Sequence, residues 1–468
     1  MRIFVAIANY GWKNQVYLER LINEYKSMSY DVHIVILSNS PKCFRPDIEV
    51  VVGLPAKNPW SLPFAHRKIF AERAKNYDLF IYSEDDTLIK QENIDAFLKV
   101  TKVLPENEIV GFLRYEEDTE GKKYCSSIHS YFHWVPGSVK TMGKYTFAYF
   151  TNEHSGCYVL TREQLRKAIE SGGYLVGPHQ GGYDLLCTAA TDPYTQCGFT
   201  KVICISHIQD FLLHHLPNQY LGKMGLGVGE MYAQISALLR LRMEGNKEAR
   251  VELFPTRSKL DKSKWDKLYY EKCRDDVVGV VPDHSKNVLS VGCGWGATEA
   301  KLVQRGIRVV GIPIDSIIAE STKSRGIEVL SRAFESATES LTDEKFDCIL
   351  FIDVLQHLAD PAKILTQYAE LLDKEGFVII TVPNFKYIKY FYEILTNRKI
   401  YKNRKVFDKT HIHFTTPRMT AGWISQSGLN VVDVKYNANN RFRHLVRASL
   451  GLLNGYLAPE ILLVTKKA

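Results

Sequence analysis

A strand–helix alternation runs through this chain twice, and nothing else in it narrows the fold so far. "RIFVAIA" reads as a strand, "NQVYLERLINEYKS" as an amphipathic helix, and "DVHIVILS" and "IEVVVGL" as further strands. "FAHRKIFAERAKN" and "YDLFIYS" add a helix and a strand. Strands separated by helices predict a parallel α/β sheet. The rhythm is lost after Gly111 and begins again at Asn287 with "NVLSVG", "TEAKLVQRG", "RVVGIPID", "SIIAESTKSRG", "FDCILFID", "PAKILTQYAELLDKEG" and "FVIITVP". Two α/β domains follow, in keeping with 468 residues. The expected boundaries are a first domain over 1–240, a linker and leading helix over 241–286, and a second domain over 287–468. Within the linker, "KLDKSKWDKLYYEKCRDD" reads as helical.

Ligands of open parallel sheets sit at the carboxyl ends of the strands. In the first domain those ends carry Ala8-Asn9-Tyr10, Ser38-Asn39 and Glu84-Asp85-Asp86. The last group closes an apolar run with three acids. Adjacent carboxylates repel, and carboxylates beside a core are costly unless something offsets the charge. A basic partner, a helix N-terminus or a bound cation would do so, and a solvated turn is the plainer alternative.

In the second domain, "VLSVGCGWGATEA" reads as strand, glycine turn and helix. Gly292, Gly294 and Gly296 allow a tight turn and close approach of a ligand. The next strand ends in Asp315, about twenty residues on, where an acid can accept hydrogen bonds from both ribose hydroxyls. "FDCILFIDVLQHLADPAKIL" then sets Asp353, Gln356 and His357 at the mouth of the following strand. In this order the motifs resemble class I S-adenosylmethionine-dependent methyltransferases of the small-molecule branch, from about Asn287 onward. "DVLQHL" is similar to that branch's "D-V-L-E-H-L", and "DKTHIHFTTPRMTAGWISQSGLNVVDV" to its segment before the sixth strand. The resemblance implies a Rossmann-like seven-stranded sheet with S-adenosylmethionine as cofactor. Gly292, Gly294 and Gly296 would face its methionine part, with Asp315 on the ribose, Phe334 near the adenine and Asp353 at the strand mouth. "SRAFES" lacks the family's usual acid after the third strand, and Gln356 replaces another. His357 is the candidate base for a sugar hydroxyl, with His411 and His413 as rivals.

The first domain resembles the GT-A glycosyltransferase fold over roughly residues 1–235. That family carries an Asp-x-Asp motif where a strand ends, and here Glu84 stands first and Asp86 last. The resemblance implies a nucleotide-sugar held near Ala8, Asn9, Glu84 and Asp85. It also implies a manganese or magnesium ion on Asp86 and His215, and Asp184 as base; His214 is the alternative to His215. A hard cation with oxygen ligands suits a diphosphate.

The net charge of +8 suits a phosphate-bearing partner and is too diffuse to argue for nucleic acid. Nine cysteines without a Cys-x-x-Cys pair read as free thiols in a reducing compartment. "MRIFVAIANYGW" reads as a first strand rather than a signal peptide. "HLVRASLGLLNGYLAPEILLV" is interrupted by Arg447, Asn454, Pro459 and Glu460 and cannot span a bilayer. Lys and Arg interleave with aromatic or aliphatic residues over Asn384–His411 and Arg441–Tyr456. These segments suit an anionic glycan, a membrane surface near a lipid-linked acceptor, or a solvated helix face. The expectation is a cytoplasmic, bifunctional enzyme, peripheral at the inner membrane face, that extends a glycan or glycolipid and O-methylates a sugar hydroxyl. The alternative is methyl transfer alone, with a first domain that only binds the glycan or nucleotide.

Overall fold

The computed structural model describes residues 1–126, 132–221, 225–244, 267–388, 413–437 and 453–468. The chain divides into two compact units, Met1–Asn246 and Lys247–Ala468.

The first unit is built on β1 (Arg2–Asn9), β2 (Asp31–Ser38), β3 (Ile48–Val52) and β4 (Leu79–Glu84). All pair in parallel, in the order β3-β2-β1-β4. Ile3 to Ile7 and Leu79 to Tyr82 are completely buried, which explains why both strands read as continuous apolar runs. The sheet is completed beyond β4 by an antiparallel strand from later in the chain, Cys157–Thr161. Between them lie β5 (Thr87–Leu88), β6 (Glu108–Val110), β7 (Leu113–Glu117), β8 (Lys123–Ser126), β9 (Trp134–Met142) and β10 (Tyr145–Phe150). Counting on, Cys157–Thr161 is β11, followed by β12 (Thr200–Cys204), β13 (Leu212–His215) and β14 (Gly225–Gly227). These form a four-stranded sheet, β6-β12-β10-β9, and a five-stranded one, β14-β8-β7-β13-β5. The loss of alternation after Gly111 is thus a change to short, mostly antiparallel pairings. One consequence matters for the site: β13 pairs with β5 and β7, which brings His215 opposite Thr87, beside the acids that end β4.

The second unit contains β15 (Asn287–Cys293), β16 (Arg308–Pro313), β17 (Glu328–Val329), β18 (Phe346–Ile352), β19 (Leu372–Pro383), β20 (Leu429–Tyr436) and β21 (Glu460–Lys467). They make one seven-stranded sheet in the order β17-β16-β15-β18-β19-β21-β20. β21 runs antiparallel to both its neighbours, so its first residue, Glu460, faces the carboxyl end of β19. The helical reading of "KLDKSKWDKLYYEKCRDD" needs correction where it is described. Residues 267–274 are non-helical, and a helix of one turn begins only at Asp275. The reason is packing: Lys267, Tyr269, Tyr270 and Glu271 are all buried, which one face of a helix could not achieve at that spacing.

Candidate functional site

The mouth of β15 and β18 is the chemically dense part of the second unit. Gly292 and Gly296 have φ of +79° and +83°, the left-handed region where a side chain is strained. Gly294 is needed for a different reason. A Cβ there would lie 2.6 Å from the carbonyl oxygen of Tyr269, because the segment after Lys267 crosses the turn. Two bonds hold that crossing: Trp295 N donates to Tyr269 O (3.0 Å), and Trp295 Nε1 donates to Glu271 O (2.6 Å). Asp315 follows β16 and is buried. Its Oδ1 accepts from the amides of Ile317 and Ile318 at 2.8 and 2.6 Å, which orients the carboxyl at the start of the helix Ile318–Lys323. Phe334 packs beneath the turn, with its ring tip 3.3 Å from where a Gly292 Cβ would stand.

Asp353, just past β18, has φ of +51°, an uncommon backbone state for a residue with a side chain. It is held there by its carboxylate. Oδ1 accepts from Thr381 Oγ1 at 3.0 Å, and Oδ2 meets Arg274 Nη1 at 3.3 Å. The same Arg274 grips Asp276 and Glu460, so one guanidinium ties β18 to the start of β21. Burial, then Asp353, push Glu460 up to about 8. Gln356 donates to the Asp353 carbonyl (2.9 Å), and His357 is buried in the turn Leu355–His357. His413 reaches the same turn. Its amide donates to Gln356 O (2.8 Å), and its Nε2 lies 2.9 Å from Leu358 O. His411 and most of the two basic-aromatic segments lie outside the described residues.

In the first unit, the three acids have three environments. Glu84 faces His154 Nε2 at 3.3 Å and Arg114 Nη1 at 3.5 Å. Burial works against its charge, but these two groups prevail and hold it down to about 2. Asp85 is turned inward, accepting from Asn9 Nδ2 (2.5 Å) and Asn14 Nδ2 (2.8 Å). It thereby ties β1, the start of the helix Gln15–Ser27 and the end of β4 together. Burial, and next Asp86, push it up to about 7. Asn9 also accepts from Lys42 Nζ, and Ala8 sits beside Glu84 in register. Asp86 Oδ2 is 3.5 Å from His215 Nε2, while its Oδ1 is buried with no hydrogen-bond partner. Glu116 holds the other ring nitrogen of His215 at 2.6 Å. Asp86 and His215, read together from the sequence, therefore do meet. Among the described residues, however, no group of three or more His, Cys, Asp or Glu is placed to hold a metal ion. Asp184 caps the helix Leu185–Thr195, accepting from Cys187 N at 2.8 Å. His214 is turned to Asn218.

The sequence reading missed Lys267, Glu271, Arg274, Glu299 and Glu460 in the second unit, and Arg114, Glu116 and His154 in the first. Only Glu299 carried a local signal, as an acid in the first turn after the glycines.

A seven-stranded sheet with a reversed β21, a glycine turn after its central strand and an acid after the next one define a Rossmann-like nucleotide-binding domain. Residues 265–434 match the family described as "Methyltransferase domain". This region is a class I S-adenosylmethionine-dependent methyltransferase domain. The chain is 27% identical over 167 residues to the ubiquinone biosynthesis O-methyltransferase of Colwellia psychrerythraea, covering 33% of this chain and 66% of that protein. To the protein of the same name from Pseudoalteromonas translucida it is 29% identical over 153 residues, 31% of this chain and 64% of the relative. The chain thus spans less than two thirds of the length of either relative. A solved methyltransferase from Archaeoglobus fulgidus is similar at 16% identity over 41% of this chain and 90% of that one, with a TM-score of 0.33.

The residues at the strand mouth suit the cofactor of this family. Its sulfonium and ammonium are cations, and the mouth sets the carboxyl of Glu271 within electrostatic reach of Asp353 and Glu299, while Asp315 follows the neighbouring strand β16. No helix among the described residues is long and apolar enough to cross a membrane.

Proposed function

We propose that the second unit methylates a hydroxyl oxygen, with S-adenosylmethionine as donor and a sugar of a glycan or lipid-linked glycan as acceptor. The observation that carries the donor is the family match over 265–434 on this sheet. Oxygen as acceptor atom is supported by the O-methyltransferases among the relatives. The cofactor, when bound, supplies an already activated methyl group. The chain's part is to orient the ribose through Asp315, to receive the methionine end at the glycine turn, and to take the acceptor's proton. His357 is the assigned base; it lies in the turn that Asp353 and His413 frame. The test is transfer of labelled methyl from S-adenosylmethionine into total glycan extract, with His357→Ala as control. No incorporation into glycan, with incorporation into a phenolic small molecule, would reject the sugar acceptor and keep the methyltransferase.

A second reading concerns the first unit, and a specific observation favours it. A parallel β3-β2-β1-β4 sheet carries β11 antiparallel at its edge, and the turn after β4 holds Asp86, whose buried Oδ1 lacks a partner beside a histidine already oriented by Glu116. This supports a GT-A-like unit binding a nucleotide-sugar. A manganese or magnesium ion on Asp86 and His215 would draw its remaining ligands from the diphosphate and water. Partners would be that donor and the glycan acceptor, not nucleic acid, and the basic-aromatic segments would approach a membrane surface from the cytoplasmic side. Turnover of nucleotide-sugars with and without manganese separates this from a unit that only binds glycan.

A further inference from the structure

Lys267 is buried to 1% exposure, a rare state for lysine, at the mouth of the two central strands of the second unit. Its Nζ is 2.8 Å from Glu271 Oε1 and 2.8 Å from the carbonyl oxygen of Ile352, the last residue of β18. A buried ammonium is costly, and these two oxygens offset the cost. The setting has acid to spare. Burial is the main cause that raises Glu271; Lys267 opposes it next, and the neighbouring Glu299 and Asp353 add to the raise. Glu299 Oε1 accepts from Ser290 Oγ (2.6 Å), and its Oε2 is buried with no hydrogen-bond partner. Lys267 also opens the segment that crosses the glycine turn, where the Tyr269 carbonyl lies close enough to bar a Cβ on Gly294.

An ammonium on a carboxylate and a strand-end carbonyl, beside a glycine turn, is the arrangement expected for the amino group of a bound amino acid. The cofactor assigned to this domain carries such a group on its methionine end. We propose that the Lys267 ammonium occupies, in the ligand-free chain, the seat that the cofactor's α-ammonium takes on binding, with Glu271 and the Ile352 carbonyl as shared acceptors. This rests on the reading of the second unit as an S-adenosylmethionine site. Segment 267–271 then competes with the amino-acid end of the ligand and leaves the nucleoside end alone. No covalent step is involved; one ammonium replaces another.

The test titrates S-adenosylhomocysteine and methylthioadenosine, which lacks the amino-acid end, into the full chain by calorimetry. Lys267→Met should tighten S-adenosylhomocysteine by about tenfold and leave methylthioadenosine within about twofold, since only the first must displace the lysine. Weakening of both ligands would overturn the proposal and make Lys267 a supporting residue of the site. A second arm uses the wild-type chain alone, with Lys267 acetylation by an activated ester read by mass spectrometry. Saturating S-adenosylhomocysteine should raise labelling and methylthioadenosine should not. Unchanged or lower labelling with S-adenosylhomocysteine bound overturns the proposal. If neither ligand binds wild type or variant, the cofactor reading itself fails and takes the proposal with it.

Discussion

At the scale of single residues, charge placement separates two acids that adjoin in sequence. Asp85 is spent on Asn9 and Asn14, whereas Asp86 keeps a buried oxygen without a partner. Asp86→Ala should therefore leave the melting temperature of the metal-free protein unchanged or slightly raised, because a carboxylate next to Asp85 is removed. In the wild type, manganese with a nucleoside diphosphate should raise the melting temperature, and in Asp86→Ala it should not. A mutant that is simply less stable, with no metal response in either protein, would remove the cation from the account. The second unit gives a pH prediction. Burial first, and neighbouring acids next, push Glu271 up to about 7 and Glu460 up to about 8. The ordinary glutamate value is about 4.3. Folded pKa values above unfolded ones mean a contribution that is complete below about pH 4.3 and lost as pH rises through about 8. Urea unfolding at about pH 5 and about pH 8.5 should show stability falling over that window, and Glu271→Gln with Glu460→Gln should flatten the fall. An unchanged slope in the double variant would show that these two carboxyls do not set it.

At the scale of elements, the same side chain can serve as a helix cap or as a base, and Asp184 is the clear case. It caps the helix Leu185–Thr195 through Cys187 N. Asp184→Ala should cost about 0.5–2 kcal/mol, while Asp184→Asn, an equally good cap, should cost almost nothing. If Asp184 is also the base of sugar transfer, Asp184→Asn should fold normally and lose turnover of nucleotide-sugar. Full turnover in Asp184→Asn would leave the residue a cap and nothing more. Elements were what the sequence showed best, because a strand buried on both faces must be apolar along its length, as Ile3 to Ile7 and Cys348 to Ile352 are. The glycine turn and Asp315 were legible for a similar reason: both are local. What binds the elements together was not. Lys267 meets a carbonyl 85 residues away, and Arg274 meets Glu460 across 186 residues. In the sequence both stand in a charged run that reads as a helical linker. Burial by distant partners decided otherwise, and no local spacing reports it. His215 beside Asp86 was reached only through the family resemblance, since their pairing depends on β13 lying next to β5.

At the scale of the whole molecule, each unit has its own sheets and its own core, and the division falls between Asn246 and Lys247. A fragment covering 247–468 should therefore fold by itself and bind S-adenosylhomocysteine as the full chain does. An insoluble fragment beside a well-behaved full-length control would show that the second unit needs the first. The central claim is that the second unit is an S-adenosylmethionine site in which Asp315 holds the ribose. The most direct measurement is calorimetric titration of the full-length protein, wild type and Asp315→Ala, with S-adenosylhomocysteine. The account predicts one site per chain in the wild type, and a loss of about 1–3 kcal/mol of binding free energy in Asp315→Ala. Asp86→Ala, in the other unit, should bind as the wild type does. A wild-type protein that takes up no S-adenosylhomocysteine, or an Asp315→Ala protein that folds and binds it with unchanged affinity, would contradict the account.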